Sequence, residues 1–103
     1  MSKQINNDQF SVLRIIKKSP ESSQRKLAKN LGFSLGKLNY CMKSLKDRGM
    51  IKLKYFRKNP NKLCYLHLLT SKGITAKTKI TISLMKNSMK QYDELKKELK
   101  DEK

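Results

Sequence analysis

The sequence predicts a mainly α-helical chain carrying one small β-hairpin, an α+β arrangement of three short helices, two strands and a long C-terminal helix. Three observations predict it. Apolar residues recur three and four apart through residues 7–48, the mark of helices that bury one face. Between residues 50 and 69 the period changes to alternation around a polar, Pro-containing break. From Thr70 onward helical spacing returns, and no Pro or Gly interrupts it after Gly73. At 103 residues the chain has the size of one domain with a modest core, so pairing with a second copy would help its stability.

Residues 7–18 carry Phe10, Val12, Leu13 and Ile16 at helical spacing. Asn7 or Asp8 suits the N-cap, and Pro20 ends the segment. A second helix over residues 23–31 opens on Ser23 and places Leu27 and Leu31 on one face, with Ala28 beside them. A capping box would put Glu or Gln three residues after Ser23; Lys26 stands there instead. The missing acid makes sense if that helix N-terminus points at phosphate. Gly32-Phe33-Ser34 is a tight break: Gly takes the left-handed conformation that closes one helix, and Ser34 caps the next. The third helix runs over about 35–48 on Leu38, Met42 and Leu45, with Cys41 on the flank, and Gly49 stops it. Two helices joined by a three-residue turn containing Gly are the helix-turn-helix signature.

A strand follows over residues 50–56, with Ile51, Leu53 and Tyr55 alternating against Lys52, Lys54 and Phe56. Arg57 to Lys62 reads as a turn, with Pro60 and Asn61 at its centre. Residues 63–69 form the second strand; it is apolar on both sides, so the pattern leaves its buried face open. The hairpin is a wing with a basic tip. Thr70 or Ser71 caps the final helical segment, which runs to about residue 100. Its repeat of Ile74, Thr78, Thr81, Met85, Ser88, Tyr92, Leu95 and Leu99 suits a helix–helix seam. Thr and Ser weaken the middle of that seam. Ile80, Ile82, Leu84 and Met89 spread around the helix, so part of it also packs on the domain; a kink or two shorter helices fit the pattern as well. The expected organisation is a winged helix-turn-helix domain over residues 1–72 and a C-terminal dimerisation arm over residues 73–103.

Charge bounds the function. Twenty-five Lys and Arg against eight Asp and Glu give a net +17. Self-repulsion on that scale calls for a polyanionic partner, nucleic acid or an anionic membrane, although a lysine-rich composition alone accounts for part of it. Ten bases face one acid over residues 34–72, whereas eight bases face five acids over residues 73–103. The excess therefore peaks in the third helix and the wing. No stretch approaches the length of a membrane span, and the N-terminal ten residues carry no apolar run of the signal-peptide kind. Cys41 and Cys64 make no CxxC and have no His at metal spacing, and read as small apolar residues in a reducing compartment. His67, the single histidine, lies in an apolar strand and reads as a packed residue. No Ser/His/Asp grouping, paired acids on an apolar face or P-loop is present, so neither an enzyme nor a metal or other cofactor is expected.

The run Ser23-Gln24-Arg25-Lys26-Leu27-Ala28-Lys29-Asn30-Leu31-Gly32-Phe33-Ser34, then Leu38-Asn39-Tyr40 and Leu45-Lys46-Asp47-Arg48-Gly49-Met50-Ile51, resembles a MarR-type winged helix. Leu69-Thr70-Ser71-Lys72-Gly73-Ile74 is similar to the LTxxG stretch with which that family leaves the wing. The likeness covers residues 8–100 and comes nearest to the small EPS-associated MarR-like regulators, found near exopolysaccharide genes. It implies a cytoplasmic, bacterial, homodimeric transcription regulator. The chain is shorter than ordinary members, lacks their long N-terminal helix and has Arg57-Lys58-Asn59 where they carry an Asp-Arg pair. Ligand sensing at the dimer interface is therefore not carried over.

Helix-turn-helix geometry presents the N-terminal part of the third helix to base edges. Those residues are Leu35, Gly36, Lys37, Asn39, Tyr40 and Lys43. Asn39 suits adenine, Lys37 guanine and Leu35 a thymine methyl, while Gly36 admits a close backbone. Backbone anchors are expected at Ser22, Ser23, Gln24, Arg25 and Ser34, although Ser23 and Ser34 also serve as plain caps. Arg57, Lys58, Asn61 and Lys62 of the wing would reach the flanking minor groove or the phosphates. The dimer seam is expected at Ile74, Thr81, Met85, Ser88, Tyr92, Leu95 and Leu99. The expected partners are duplex DNA and a second copy, with no membrane. Two other readings stay open: a non-specific architectural or RNA-binding protein, and a module that captures another protein through its last helix.

Overall fold

The computed structural model describes residues 5–102, apart from the side chains of residues 62–64. The expectations for Lys62 in the wing and for the Cys64 thiol therefore lie outside the described residues. The element order is α1 (Asn7–Lys18), α2 (Gln24–Leu31), α3 (Leu35–Asp47), β1 (Ile51–Asn59), β2 (Lys62–Leu69) and α4 (Ser71–Asp101).

Helix α1 is capped by Asn6 rather than by Asn7 or Asp8. The Asn6 side chain accepts from the Gln9 amide, and the Gln9 side chain accepts from the Asn6 amide, a capping box displaced one residue from the expected start. The Nε2 of the buried Gln9 then donates to Ser44 Oγ on α3 at 2.8 Å, which ties the cap to the core. Ser23 and Ser34 cap α2 and α3 as the sequence indicates. Gly32 sits at φ 70° at the C-cap of α2, where a side chain would be strained. One core forms from Val12, Leu13 and Ile16 of α1, Leu27 and Ala28 of α2, and Leu38, Cys41, Met42 and Leu45 of α3, closed by Met50 and Ile51.

β1 and β2 pair antiparallel, with Ile51 opposite Leu69, Leu53 opposite His67 and Tyr55 opposite Tyr65. The register settles the face that the sequence left open. His67 is buried on the side shared with Ile51 and Leu53, while Leu66 and Leu68 lie opposite Lys54 and Lys52 and are half-buried. The hairpin also corrects the expected six-residue turn. Arg57 pairs with Leu63 and Asn59 with Lys62, so Arg57 and Lys58 belong to β1, Lys58 stands in a bulge, and only Pro60-Asn61 turns. The Asn59 side chain accepts from the Asn61 amide at 3.0 Å, the local bond with which Asn closes a turn.

α4 is a single 31-residue helix rather than two shorter ones. Thr70 caps it by accepting from the Gly73 amide at 3.1 Å, and its hydroxyl donates to the Gly49 carbonyl at 2.6 Å. The first three turns pack on the domain through Gly73, Ala76, Lys77, Ile80 and Thr81; from Ile82 to Glu102 every residue is exposed. At 1.5 Å per residue the helix is about 46 Å long. It stretches the molecule to 69 × 30 × 23 Å, with a radius of gyration of 18.0 Å, against about 13 Å for a compact chain of this length.

Candidate nucleic-acid interface

Helix α3 turns one face to the core and another to solvent. Leu38, Cys41, Met42 and Leu45 fill the first. Opposite them Gly36, Asn39, Tyr40 and Lys43 are exposed, Tyr40 by 75%. Leu35, at 38% exposure, borders the side that faces the wing. Lys37 differs from the others. It lies on the flank next to α1, where its ammonium is 3.3 Å from the Asp8 carboxylate and 4.3 Å from the centre of the Phe33 ring. The six residues expected to read bases therefore divide into a solvent face, one wing-side apolar residue and one lysine already paired within the chain.

The α2 N-terminus lies beside this helix. Ser23 Oγ accepts from the Lys26 amide at 3.2 Å, and no acid stands in the first turn of α2 or α3. An acid-free helix start leaves its free amides and the positive end of its dipole available to an anion. Arg25 is exposed there, and Ser22 and Gln24 are half-buried. Ser34 Oγ accepts from the Lys37 amide at 3.1 Å, so both serines are N-caps in the free protein. Between the α2 start and the wing runs a cleft lined by Ser23, Arg25, Leu35, Leu53, Tyr65 and His67. Above it, Lys58 and Asn61 are exposed, and the Arg57 guanidinium donates to the Pro60 carbonyl at 3.2 Å, which fixes the shape of the tip.

One feature of the wing escaped sequence reasoning. Tyr55 and Tyr65 are exposed by 57% and 49% and meet edge to face, their ring centres 4.9 Å apart. Only the strand register brings them together. His67 is buried at the foot of the wing, and its backbone amide donates to the Pro20 carbonyl at 3.2 Å, tying the hairpin to the α1–α2 turn. Its Nδ1 has no hydrogen-bond partner. Burial first, then the positive charge of Lys46, holds the imidazole below the ordinary histidine range. Burial likewise pushes the Cys41 thiol up, with Asp8 adding to the shift and Lys37 opposing it. A protonated, buried thiol is a packing group rather than a nucleophile. Among the described residues no cluster of His, Cys, Asp or Glu forms a metal site, and no helix is long and apolar enough to cross a membrane.

Residues 9–52 match a family model described as winged helix-turn-helix DNA-binding. Staphylococcus aureus MarR, solved with salicylate and kanamycin, superposes with a TM-score of 0.73 at 16% identity, over 87% of this chain and 59% of that one. Overall, the fold is that of the MarR-type regulators. Streptococcus pneumoniae FabT, solved in complex with DNA, gives a TM-score of 0.72 at 20% identity, over 88% of this chain and 62% of that one. The zinc-responsive MarR family member ZitR of Lactococcus lactis gives 0.66 at 22% identity, over 92% of this chain and 63% of that one. The chain thus spans about six tenths of the length of each of these proteins. The MarR-type likeness is to the architecture at large. Compared by sequence with the curated proteins, the chain matches none of them. The matched model is described as DNA-binding, FabT was solved on DNA, and another neighbour of the same fold is a MarR family transcription regulator.

Proposed function

We propose that this protein is a homodimeric, sequence-specific regulator that binds duplex DNA in the bacterial cytoplasm, with residues 1–72 as the reading domain and residues 73–103 as the pairing arm. One observation carries the reading. The exposed face of α3 stands between an acid-free helix start and a basic wing, the three parts that a winged helix lays on major groove, backbone and minor groove. FabT, which shares the fold, was solved on DNA.

Gly36, Asn39, Tyr40 and Lys43 form the reading face, with Leu35 at its wing-side edge. Lys37 joins them by exchanging the Asp8 carboxylate for a base edge or phosphate, an exchange that a half-exposed ion pair opposes only weakly. Ser22, Ser23, Gln24, Arg25 and Ser34 hold the backbone and set the register. Arg57, Lys58 and Asn61 reach the flanking groove. The arm pairs through Ile74, Met85, Ser88, Tyr92, Leu95 and Leu99, five of which are large apolar residues exposed in the single chain. Thr81 sits at the inner end of that seam, half-buried, with its hydroxyl donating to the Lys77 carbonyl.

The test is selection from a random duplex pool at near-physiological salt. An enriched inverted repeat, with half-sites about one helical turn apart, is the expected outcome. Tight binding with no enriched sequence would replace this reading with that of a non-specific, charge-driven binder.

A further inference from the structure

The charge order along α4 runs against its own helix. Lys72 lies in its first turn and no acid does, while its last turn holds Asp101 beside Lys100 and ends on Glu102 as the C-cap. A helix dipole favours the opposite arrangement, acids at the start and bases at the end. From Ser71 to Lys90 the helix carries five lysines and no acid; from Gln91 onward come five of the chain's eight acids, interspersed with four lysines. Such polarity is unfavourable for a helix alone and favourable for two helices laid antiparallel, where each basic half meets an acidic end.

The domain supplies the seat. Where α4 leaves it, Arg14, Lys17 and Lys18 at the end of α1 and Lys77 of α4 border a groove floored by Leu84 and Met85. Leu84 and Met85 are 49% and 60% exposed. Helical spacing places Glu98 and Glu102 on the same edge of the Tyr92–Leu95–Leu99 stripe that Lys77 takes on the Thr81–Met85–Ser88 stripe. In an antiparallel pair, equivalent edges face each other. A crossing near Ser88 and Met89 then brings Leu95 and Leu99 toward the groove and the two glutamates toward its basic rim.

Building on the dimer reading above, we propose that the groove between α1 and α4 is the seat for the C-terminal third of α4 from a second copy, fixing the dimer as antiparallel. Glu98 and Glu102 of one chain face Lys17 and Lys77 of the other, and the apolar stripes pack between them. The occupant is identified by charge: from Gln91 onward is the stretch of α4 in which acids outnumber lysines, five to four, and Glu98 and Glu102 stand on its seam edge.

The test uses two full-length variants, Glu98→Lys with Glu102→Lys, and Lys17→Glu with Lys77→Glu, studied by sedimentation equilibrium at low and moderate salt. All four positions are solvent-accessible in the single chain, and circular dichroism checks that each variant keeps its helix content. Each variant alone is expected to dimerise on the order of tenfold or more weakly than the parent, since two attractive contacts per end become repulsive. An equal mixture is expected to regain parental affinity as a heterodimer, and added salt to shrink both effects. Variants that dimerise like the parent, or a mixture that fails to recover, would overturn the seat while leaving a dimer formed elsewhere. A parent that stays monomeric at all concentrations would instead overturn the dimer reading itself.

Discussion

Gly73 explains at atomic scale why a glycine stands in the first turn of α4. Its φ is ordinary, so backbone freedom is not the reason. A Cβ built on it would run into the backbone carbonyl of Met50, which already accepts from the Thr70 amide at 3.0 Å. The glycine lets α4 lie directly on the α3–β1 junction. Gly73→Ala is expected to lower stability by about 1–3 kcal/mol, the range for forcing atoms into a packed site, read as a lower urea midpoint at unchanged slope. An unchanged midpoint would mean that the helix start is free to shift. His67 gives a second residue-scale expectation. Its folded pKa is depressed, so the unfolded chain takes up the proton first. The stability tied to the neutral ring is full above the ordinary histidine value of about 6.5 and falls as pH drops below it toward the folded value. The urea midpoint of the parent should therefore decline more steeply between about pH 7 and pH 5 than that of His67→Gln. Parallel declines would assign the pH dependence to the carboxylates alone.

Among the elements, α3 carries a substitution that separates folding from reading. Gly36 lies within a helix, at a negative φ, with open space where a Cβ would go. Alanine there removes the entropic penalty of a helical glycine, so Gly36→Ala should raise stability by up to about 1 kcal/mol. The same methyl would obstruct a groove edge that approaches the backbone, so operator affinity should fall while the melting temperature rises. A stabilised variant with full affinity would remove Gly36 from the interface. Most of this element-scale structure was legible in the sequence. Ser23, Gly32, Ser34 and Gly49 each have a local job, and the Leu38–Met42–Leu45 stripe names its own buried face. What the sequence did not show depends on partners distant along the chain. The Asn6–Gln9 box was hidden because the apolar pattern starts later than the cap. Lys58 reads as turn until strand pairing makes it a bulge, and Lys37 reads as a free base until α1 folds back and brings Asp8 to it.

The whole molecule is a small domain with a helix that extends well beyond it, and under the proposed dimer reading that shape would make operator binding depend on pairing. On that reading a lone domain would contact one half-site, and two domains joined through their arms would hold both, the second contact forming at the high effective concentration the arm imposes. Leu95 is 60% exposed in the single chain, so Leu95→Asp should leave the domain folded while placing a charge in the seam. The variant should sediment as a monomer. It should bind a full inverted repeat about as weakly as a single half-site, roughly a hundredfold below the parent on the full site. Its affinity for the half-site should match that of the parent, because the reading face lies in another part of the molecule. Fluorescence anisotropy on the two duplexes checks both expectations in one experiment. A monomeric variant that still prefers the full site would mean that DNA itself brings the domains together. A variant that remains dimeric would remove Leu95 from the pairing surface, and with it the seat proposed between α1 and α4.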